Sequence, residues 1–389
     1  MTNLIYKIVN NLLFLLSFRR PAITAARIKP EKVLLVLPMK GIGDILLVKP
    51  LVEGMREQWE HAEIEAVVRD RKLLELASHL LPVDRFHVWG YDWMKEPGQG
   101  LRIAGQLRRQ SFDMVLDLMC DHSAASALFS FLIGAPLTAG FSCPRRKAFF
   151  NSSVAPDWSS SHIVDDWHAL AESIGVRYLS RCPSLKLDHD ELGFAKSFFE
   201  KKGVISGLPI IVIHPGARDD LSTVDKRWHW TGYRDLCRIL RERMGVQVVL
   251  LGSGEEKELS ERIAEGAGEG LVDICGAAGI LETLSLIGVS DLFIGNNSGP
   301  LHLACALEVP TISFSGGINL VRWGPCGNPE TNRVMMPDPG CSAVQCAGCE
   351  KKGKICLGGV DVEAVAAVAL DMLQKSEGSH LGRLFPSGP

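Results

Sequence analysis

Gly295-Asn296-Asn297-Ser298-Gly299-Pro300-Leu301-His302 brings together residue types that hold a phosphate. Gly299 lets a backbone come close, Ser298 can cap a helix, and Pro300 suits the first helical position, where its missing N–H costs nothing. The freed amides of such a helix start point at an anion. Asn297 can hydrogen-bond a sugar or phosphate, and His302 stands one turn in. A plain strand-to-helix junction uses many of the same residues, so the meaning of the stretch depends on its companions.

Two further loops share this chemistry. His214-Pro215-Gly216-Ala217-Arg218 leads to Lys226-Arg227-Trp228, and Gly252-Ser253-Gly254-Glu255 ends in a carboxylate. Gly216 and Gly254 permit close backbone approach, Lys226 can neutralise phosphate charge, and Glu255 can accept from a ribose or sugar hydroxyl. A single lysine is ordinarily a solvated surface residue, but three glycine-bearing loops at successive strand ends are harder to assign to chance. A fourth loop, Met39-Lys40-Gly41-Ile42-Gly43-Asp44, supplies Asp44 either as a helix N-cap or as a general base.

Such loops need strands to present them. From Lys32 the chain alternates short apolar runs with helical stretches, the pattern of parallel sheets. Strands are expected at 33–37, 64–68 and 114–118, with a helix at 45–59. A second series begins at 210–213 and continues with strands at 246–251, 271–274, 292–294 and 311–314, separated by helices at 233–244, 255–265, 281–287 and 300–307. The expected class is α/β, with two doubly wound Rossmann-like domains facing a cleft, because ligands in such sheets bind outside the carboxyl ends of the strands. The expected boundaries are 1–29 for an amphipathic segment, 30–190 and 191–375 for the two domains, and 376–389 for a loose polar tail.

Composition narrows the partners. The 389 residues are 46% apolar and 22% charged, with a net charge of -3, which gives no global attraction to nucleic acid. Eleven cysteines in a chain without a cleavable-looking signal peptide fit a reducing cytoplasm. Cys341, Cys346, Cys349 and Cys356 form either a zinc site or a loop of reduced thiols, and their spacing lacks the paired CxxC pattern of a zinc ribbon. Leu4, Ile5, Ile8, Val9, Leu12, Leu13 and Leu16 recur at helical spacing near Lys7, Arg19 and Arg20. The run is interrupted by Asn3, Asn10 and Asn11 and falls short of the ~20 residues that span a bilayer. It reads as a helix lying on an anionic membrane or as one packed on the protein's own surface. Arg69-Asp70-Arg71-Lys72 and Pro144-Arg145-Arg146-Lys147 are basic loops that serve either as solvated surface or as contacts to acidic sugars or phosphates, with Arg145 and Arg146 the candidate acceptor residues.

Gly41 to Asp44, His214 to Ala217, Lys226 to Trp228 and Gly295 to Ala304 together resemble glycosyltransferase family nine, the lipopolysaccharide heptosyltransferases. The resemblance runs over roughly 32–373 and takes in Asp117 after Phe112-Asp113, Ser161-His162 and the cysteine-rich stretch. It implies a GT-B fold, with the acceptor bound by the first domain and a nucleotide sugar by the second. By the same resemblance Asp44 is the catalytic base, Lys226 contacts the donor diphosphate, and Gly216 and Ala217 lie beside the phosphates. Glu255 binds the ribose, with Glu256 as the alternative register, and Asn297, Ser298, Gly299 and His302 form the donor loop. The implied reaction is inverting transfer of heptose from ADP-heptose to a lipid-linked saccharide at the inner membrane surface, with no metal and no cofactor beyond the donor. Family members commonly carry aspartate at the position of Asn297, and a histidine or threonine often follows the glycine-aspartate loop where this chain reads Ile45. Two alternatives stand beside transfer: a nucleotide-sugar epimerase, which can share the two-domain architecture, and a non-catalytic nucleotide-sugar-binding paralogue, to which Asn297 points.

Overall fold

The computed structural model describes residues 29–39, 41–89, 97–120, 124–143, 146–178, 180–205, 207–217, 227–316, 319–337 and 356–375. Lys226, Arg145, the amphipathic segment 1–28, Cys341, Cys346, Cys349, the side chain of Cys356 and the tail from 376 lie outside them. The chain divides into two compact units, Met1–Pro183 and Ser184–Pro389.

In the first unit, strands β1 (Lys32–Leu37), β2 (Glu63–Val68), β3 (Arg85–Val88), β4 (Met114–Asp117), β5 (Leu137–Phe141) and β6 (Ser152–Val154) form one parallel sheet in the order β3-β2-β1-β4-β5-β6. Central β1 is buried along Val33 to Leu37, as its unbroken apolar run requires for a strand covered on both faces. One helix was expected after β1, but two form, α1 (Ile42–Leu47) and α2 (Lys49–Gln58). Pro50 sits in the first turn of α2, where its lack of an N–H is tolerated; inside one continuous helix it would remove a bond. Helices α3 (Arg71–Leu80), α4 (Pro97–Arg108), α5 (Ala125–Ile133) and α6 (Ile163–Ser173) complete the unit.

The second unit starts with α7 (His189–Lys201) and β7 (Ile210–His214), followed by α8 (Trp230–Met244), β8 (Gln247–Leu250), α9 (Lys257–Ala267), β9 (Val272–Asp273) and α10 (Ile280–Gly288). It continues through β10 (Leu292–Asn296), α11 (Gly299–Ala306), β11 (Thr311–Phe314), α12 (Leu320–Trp323), β12 (Asn332–Met335) and α13 (Val362–Lys375). Its parallel sheet runs β12-β11-β10-β7-β8-β9, the same winding as the first. Its core joins Ile211, Ile213, Leu236, Leu240, Val248 and Ile294.

Cys237, Cys275 and Cys305 are buried free thiols, and Cys120 and Cys143 are buried as well. Burial pushes Cys237, Cys275 and Cys305 up to about 12, so they stay protonated and unreactive. Cys182 and Cys326 each take part in a disulfide bond, whereas the cysteine pattern of the sequence fits a reducing cytoplasm better than a disulfide scaffold.

Candidate functional site

In each sheet the strand order reverses once, between β1 and β4 in the first unit and between β7 and β10 in the second. The crevice at such a point is the ligand site of open α/β sheets, because the flanking loops diverge to opposite faces. The loop after β1 carries Gly41 and Asp44. The loop after β7 carries Gly216 and Ala217, and the turn after β10 carries Asn297 and Ser298.

Gly41 is the N-cap of α1 and Asp44 stands at N3, so Asp44 is not the cap that its position after the glycines suggested. Its carboxylate reaches back to accept the Gly41 amide at 3.1 Å. This is half of a capping box, and a Cβ at position 41 would come to 2.8 Å from Asp44 Oδ2. Asp44 is half-buried at the start of a helix at the switch point.

The donor-type loops are tied together by a residue outside the sequence-derived set. Asn296, last in β10, has a fully buried side chain. Its Oδ1 accepts from the Trp228 amide at 2.9 Å, while Nδ2 donates to the carbonyls of Pro215 at 2.8 Å and Gly216 at 3.1 Å. Trp228 is clamped below by stacking on Phe314 at 4.2 Å and an edge contact with Tyr233 at 5.1 Å. A side chain at Gly232 would place a Cβ 2.5 Å from the Trp228 ring.

Ser298 occupies the N-cap of α11 without capping it through its side chain, and Gly299 and Pro300 form the first turn, with Gly299 rather than Pro300 in the first position. The Ser298 hydroxyl instead lies 3.4 Å from His214 Nδ1, and His214 Nε2 is 3.5 Å from Glu256 Oε1. Glu256 Oε2 also accepts from the Ser253 amide at 2.7 Å and the Ser253 hydroxyl at 3.0 Å. Burial pushes the Glu256 carboxyl up, but the His214 ring and the Ser253 donors outweigh it and hold the group at about 2. A Cβ on Gly216 would fall 1.4 Å from Glu256 Oε1, so a larger residue there would push the Glu256 carboxylate out of this position.

The inward carboxylate of this loop is therefore Glu256, while Glu255 is exposed. The physical reason is the cap: Ser253 turns the chain so that the residue three positions on reaches back. The Ser-x-x-Glu spacing was the available signal. Asn296 lay inside the Gly295 to His302 stretch, but nothing local reports its role, since its partners lie 68 to 81 residues away in sequence.

Asn297 is half-buried, and its Nδ2 donates to the Trp323 carbonyl at 3.0 Å. An aspartate there would set a carboxylate against that carbonyl, so the amide suits the contact with α12. His302 is buried on the second turn of α11. Arg146, expected at the surface, is fully buried and pairs with Asp117 Oδ2 at 2.9 Å, with Ser126 at 3.3 Å as a further partner. A buried guanidinium needs a carboxylate more than it needs solvent, which removes Arg146 from the exposed acceptor contacts. His162 caps α6, its Nδ1 accepting from the Val164 amide at 3.2 Å. Among the described residues no cluster of three or more His, Cys, Asp or Glu side chains could hold a metal ion.

The family model for glycosyltransferase family 9 (heptosyltransferase) matches residues 101–354, more than half of the chain. The chain belongs to glycosyltransferase family 9. The lipopolysaccharide core heptosyltransferase OpsX of Haemophilus influenzae is 26% identical over 310 residues, covering 76% of this chain and 82% of that protein. The structure of the E. coli ADP-heptose lipopolysaccharide heptosyltransferase II superposes with a TM-score of 0.69 at 21% identity, covering 89% of this chain and 100% of that one. The family 9 glycosyltransferase from Veillonella parvula gives 0.74 at 19% identity, covering 91% and 99%. The fold of this family 9 chain is thus the GT-B type expected from its motifs, with two parallel-sheet α/β units.

Proposed function

We propose that this family 9 chain is an inverting heptosyltransferase, moving heptose from ADP-heptose to a lipid-linked saccharide such as the lipopolysaccharide core. The observation that supports this reading most is the loop chemistry at the two switch points. One unit offers an oriented carboxylate, Asp44, and the other offers Gly216, Ala217, Ser298 and Gly299 with an ionised Glu256 beside them. The names of the relatives, heptosyltransferases of lipopolysaccharide and one specified for ADP-heptose, support the donor and acceptor classes.

In the proposed reaction the acceptor hydroxyl attacks the anomeric carbon from the face opposite the diphosphate. A C–O bond forms, the bond to the diphosphate breaks, ADP leaves with the electron pair, and Asp44 takes the hydroxyl proton. Lys226 and the amides at the start of α11 stabilise charge gathering on the leaving diphosphate, and His302 supports that helix turn. Glu256 accepts from the ribose hydroxyls in the role first given to Glu255. Asn297 meets the sugar with its remaining acceptor oxygen. The scheme uses no metal and no cofactor beyond the donor.

The amphipathic segment 1–29 would hold the enzyme on the cytoplasmic face of the inner membrane, and Arg145 would contact acidic acceptor groups. No helix among the described residues is long and apolar enough to cross a membrane. Incubating the protein with ADP-heptose and a core acceptor lacking its terminal heptose should add one heptose to the acceptor and release ADP. Donor binding without product would replace transfer by the non-catalytic reading, and an isomerised donor without acceptor would replace it by epimerisation. Co-sedimentation with anionic vesicles, lost on deleting 1–29, checks the membrane reading.

A further inference from the structure

Asn296 does more than join two loops, because the peptide groups it holds have a fixed geometry. The described peptide bonds include no cis bond. In a planar trans peptide the carbonyl of one residue and the amide N–H of the next point in opposite directions. The Pro215 carbonyl is drawn to Asn296 Nδ2, so the Gly216 N–H points away from Asn296. The Gly216 carbonyl is drawn to the same nitrogen, so the Ala217 N–H points away as well. Asn296 thus turns two successive amides outward on the same side of the loop.

Neither amide donates to a partner within the described residues, although Gly216 is buried and Ala217 half-buried. Buried amides are almost always paired, so this pair is an open site for an acceptor. Successive backbone amides facing one way make an anion-binding concavity. The third bond of Asn296, from the Trp228 amide, fixes the chain two residues beyond Lys226.

We propose that Asn296 is a positioning residue for the donor diphosphate, setting the Gly216 and Ala217 amides to bind its oxygens without touching the ligand itself. The role rests on the nucleotide-sugar reading above. It predicts selectivity for the phosphates: Asn296 acts on ADP and not on adenosine.

Calorimetric titration of the full chain with ADP and with adenosine tests it, using the wild type, Asn296→Asp and Asn296→Ser. Asn296→Asp keeps the acceptor for Trp228 and removes both donors. The expected result is that wild type binds ADP more tightly than adenosine. Both variants should then lose at least about tenfold in ADP affinity while adenosine affinity changes less than about twofold. Equal losses for both ligands, or none for ADP, would overturn the proposal. Hydrogen exchange over 214–217 in the wild type decides the matter independently if the variants do not fold. Slowing by ADP but not by adenosine supports the role, and no slowing refutes it. Wild type binding neither ligand would sink the nucleotide-sugar reading and this role with it, whereas tight ADP binding that is insensitive to Asn296 sinks this role alone.

Discussion

Asp44 and Glu256 are both carboxylates locked by capping contacts, yet their partners fit them for different work. Asp44 accepts the Gly41 amide through Oδ2 at 3.1 Å, and a carboxylate of this kind is the group that can take the proton of a substrate hydroxyl. Asp44→Asn preserves shape but cannot take a proton, so kcat should fall by roughly 10²–10⁴ while ADP affinity stays within about twofold. Single-turnover kinetics beside calorimetry measure both, and unchanged turnover would remove the base assignment. Glu256 is surrounded by donors and held at about 2 against an ordinary 4.5. Its folded value lies below its unfolded value, so its stabilisation is fully present above about pH 4.5 and fades as pH falls towards 2. The depression corresponds to on the order of 3 kcal/mol. Denaturant melts of wild type and Glu256→Gln should therefore differ at pH 7 and converge near pH 2. Arg146 gives a third contrast: Arg146→Ala strands Asp117 in the interior and should cost about 3–5 kcal/mol, against under about 1 kcal/mol for the exposed Arg181–Asp165 pair. Thermal melts of both alanine variants check the difference. Of these residues, Asp44 was legible because glycines flag the loop and acidic residues flag helix starts. The burial of Arg146 was not, since three basic residues in a row, Arg145 to Lys147, look the same in sequence whether or not a buried Asp117 waits for one of them.

Elements carry a repeated device that sequence patterns do not advertise. Asp113, just before β4, accepts the Lys32 amide at 2.9 Å, and its own amide donates to the Lys32 carbonyl at 2.9 Å. Asp291, just before β10, does the same to Ile210, with side-chain and backbone bonds of 2.8 and 2.9 Å. Each aspartate pins the start of one central strand to the start of the other, at the end of the sheet opposite the switch-point loops. The Ile210 bond is buried and the Lys32 bond is partly solvated. Asp291→Ala should therefore leave a buried amide unpaired and cost about 1–3 kcal/mol, while Asp113→Ala, whose amides can turn to water, costs less. Urea melts that ranked the two the other way would refute the burial argument. The central strands β1, β7 and β10 were legible because burial on both faces leaves continuous runs of valine, isoleucine, leucine and phenylalanine. The outer strands β3, β5, β6 and β12 were missed. The burial of β3, β6 and β12 at the sheet edges is partial, and β5, though buried, is built from Leu137-Thr138-Ala139-Gly140-Phe141, a mixture without strong strand preference. The split of α1 from α2 was readable in principle from Pro50, which ends one helix and starts another.

At the scale of the whole molecule, the donor chemistry and the proposed base belong to units with separate cores. Ile211, Ile213, Val248 and Ile294 pack in the second unit, while Leu34, Val36, Val67 and Val115 pack in the first. A ligand that binds only the folded form stabilises what it touches, by about 2.7 kcal/mol at a hundredfold excess over its dissociation constant. ADP carries the diphosphate and ribose that Gly216, Ala217, Ser298 and Glu256 are proposed to hold, and none of the groups proposed for Asp44 to meet. Hydrogen exchange with saturating ADP should therefore slow in β7, β10, the first turn of α11 and the 214–217 loop. Amides of β1, β2 and α1 should change least, because local opening in their core does not release the nucleotide. Equal protection of both sheets would mean that the two units open as one cooperative block, and protection confined to the first would reverse the assignment of donor and acceptor units. The expected asymmetry follows from two properties of the chain together: one winding used twice, and opposite chemistry at the two switch points, a carboxylate in the first and outward amides in the second.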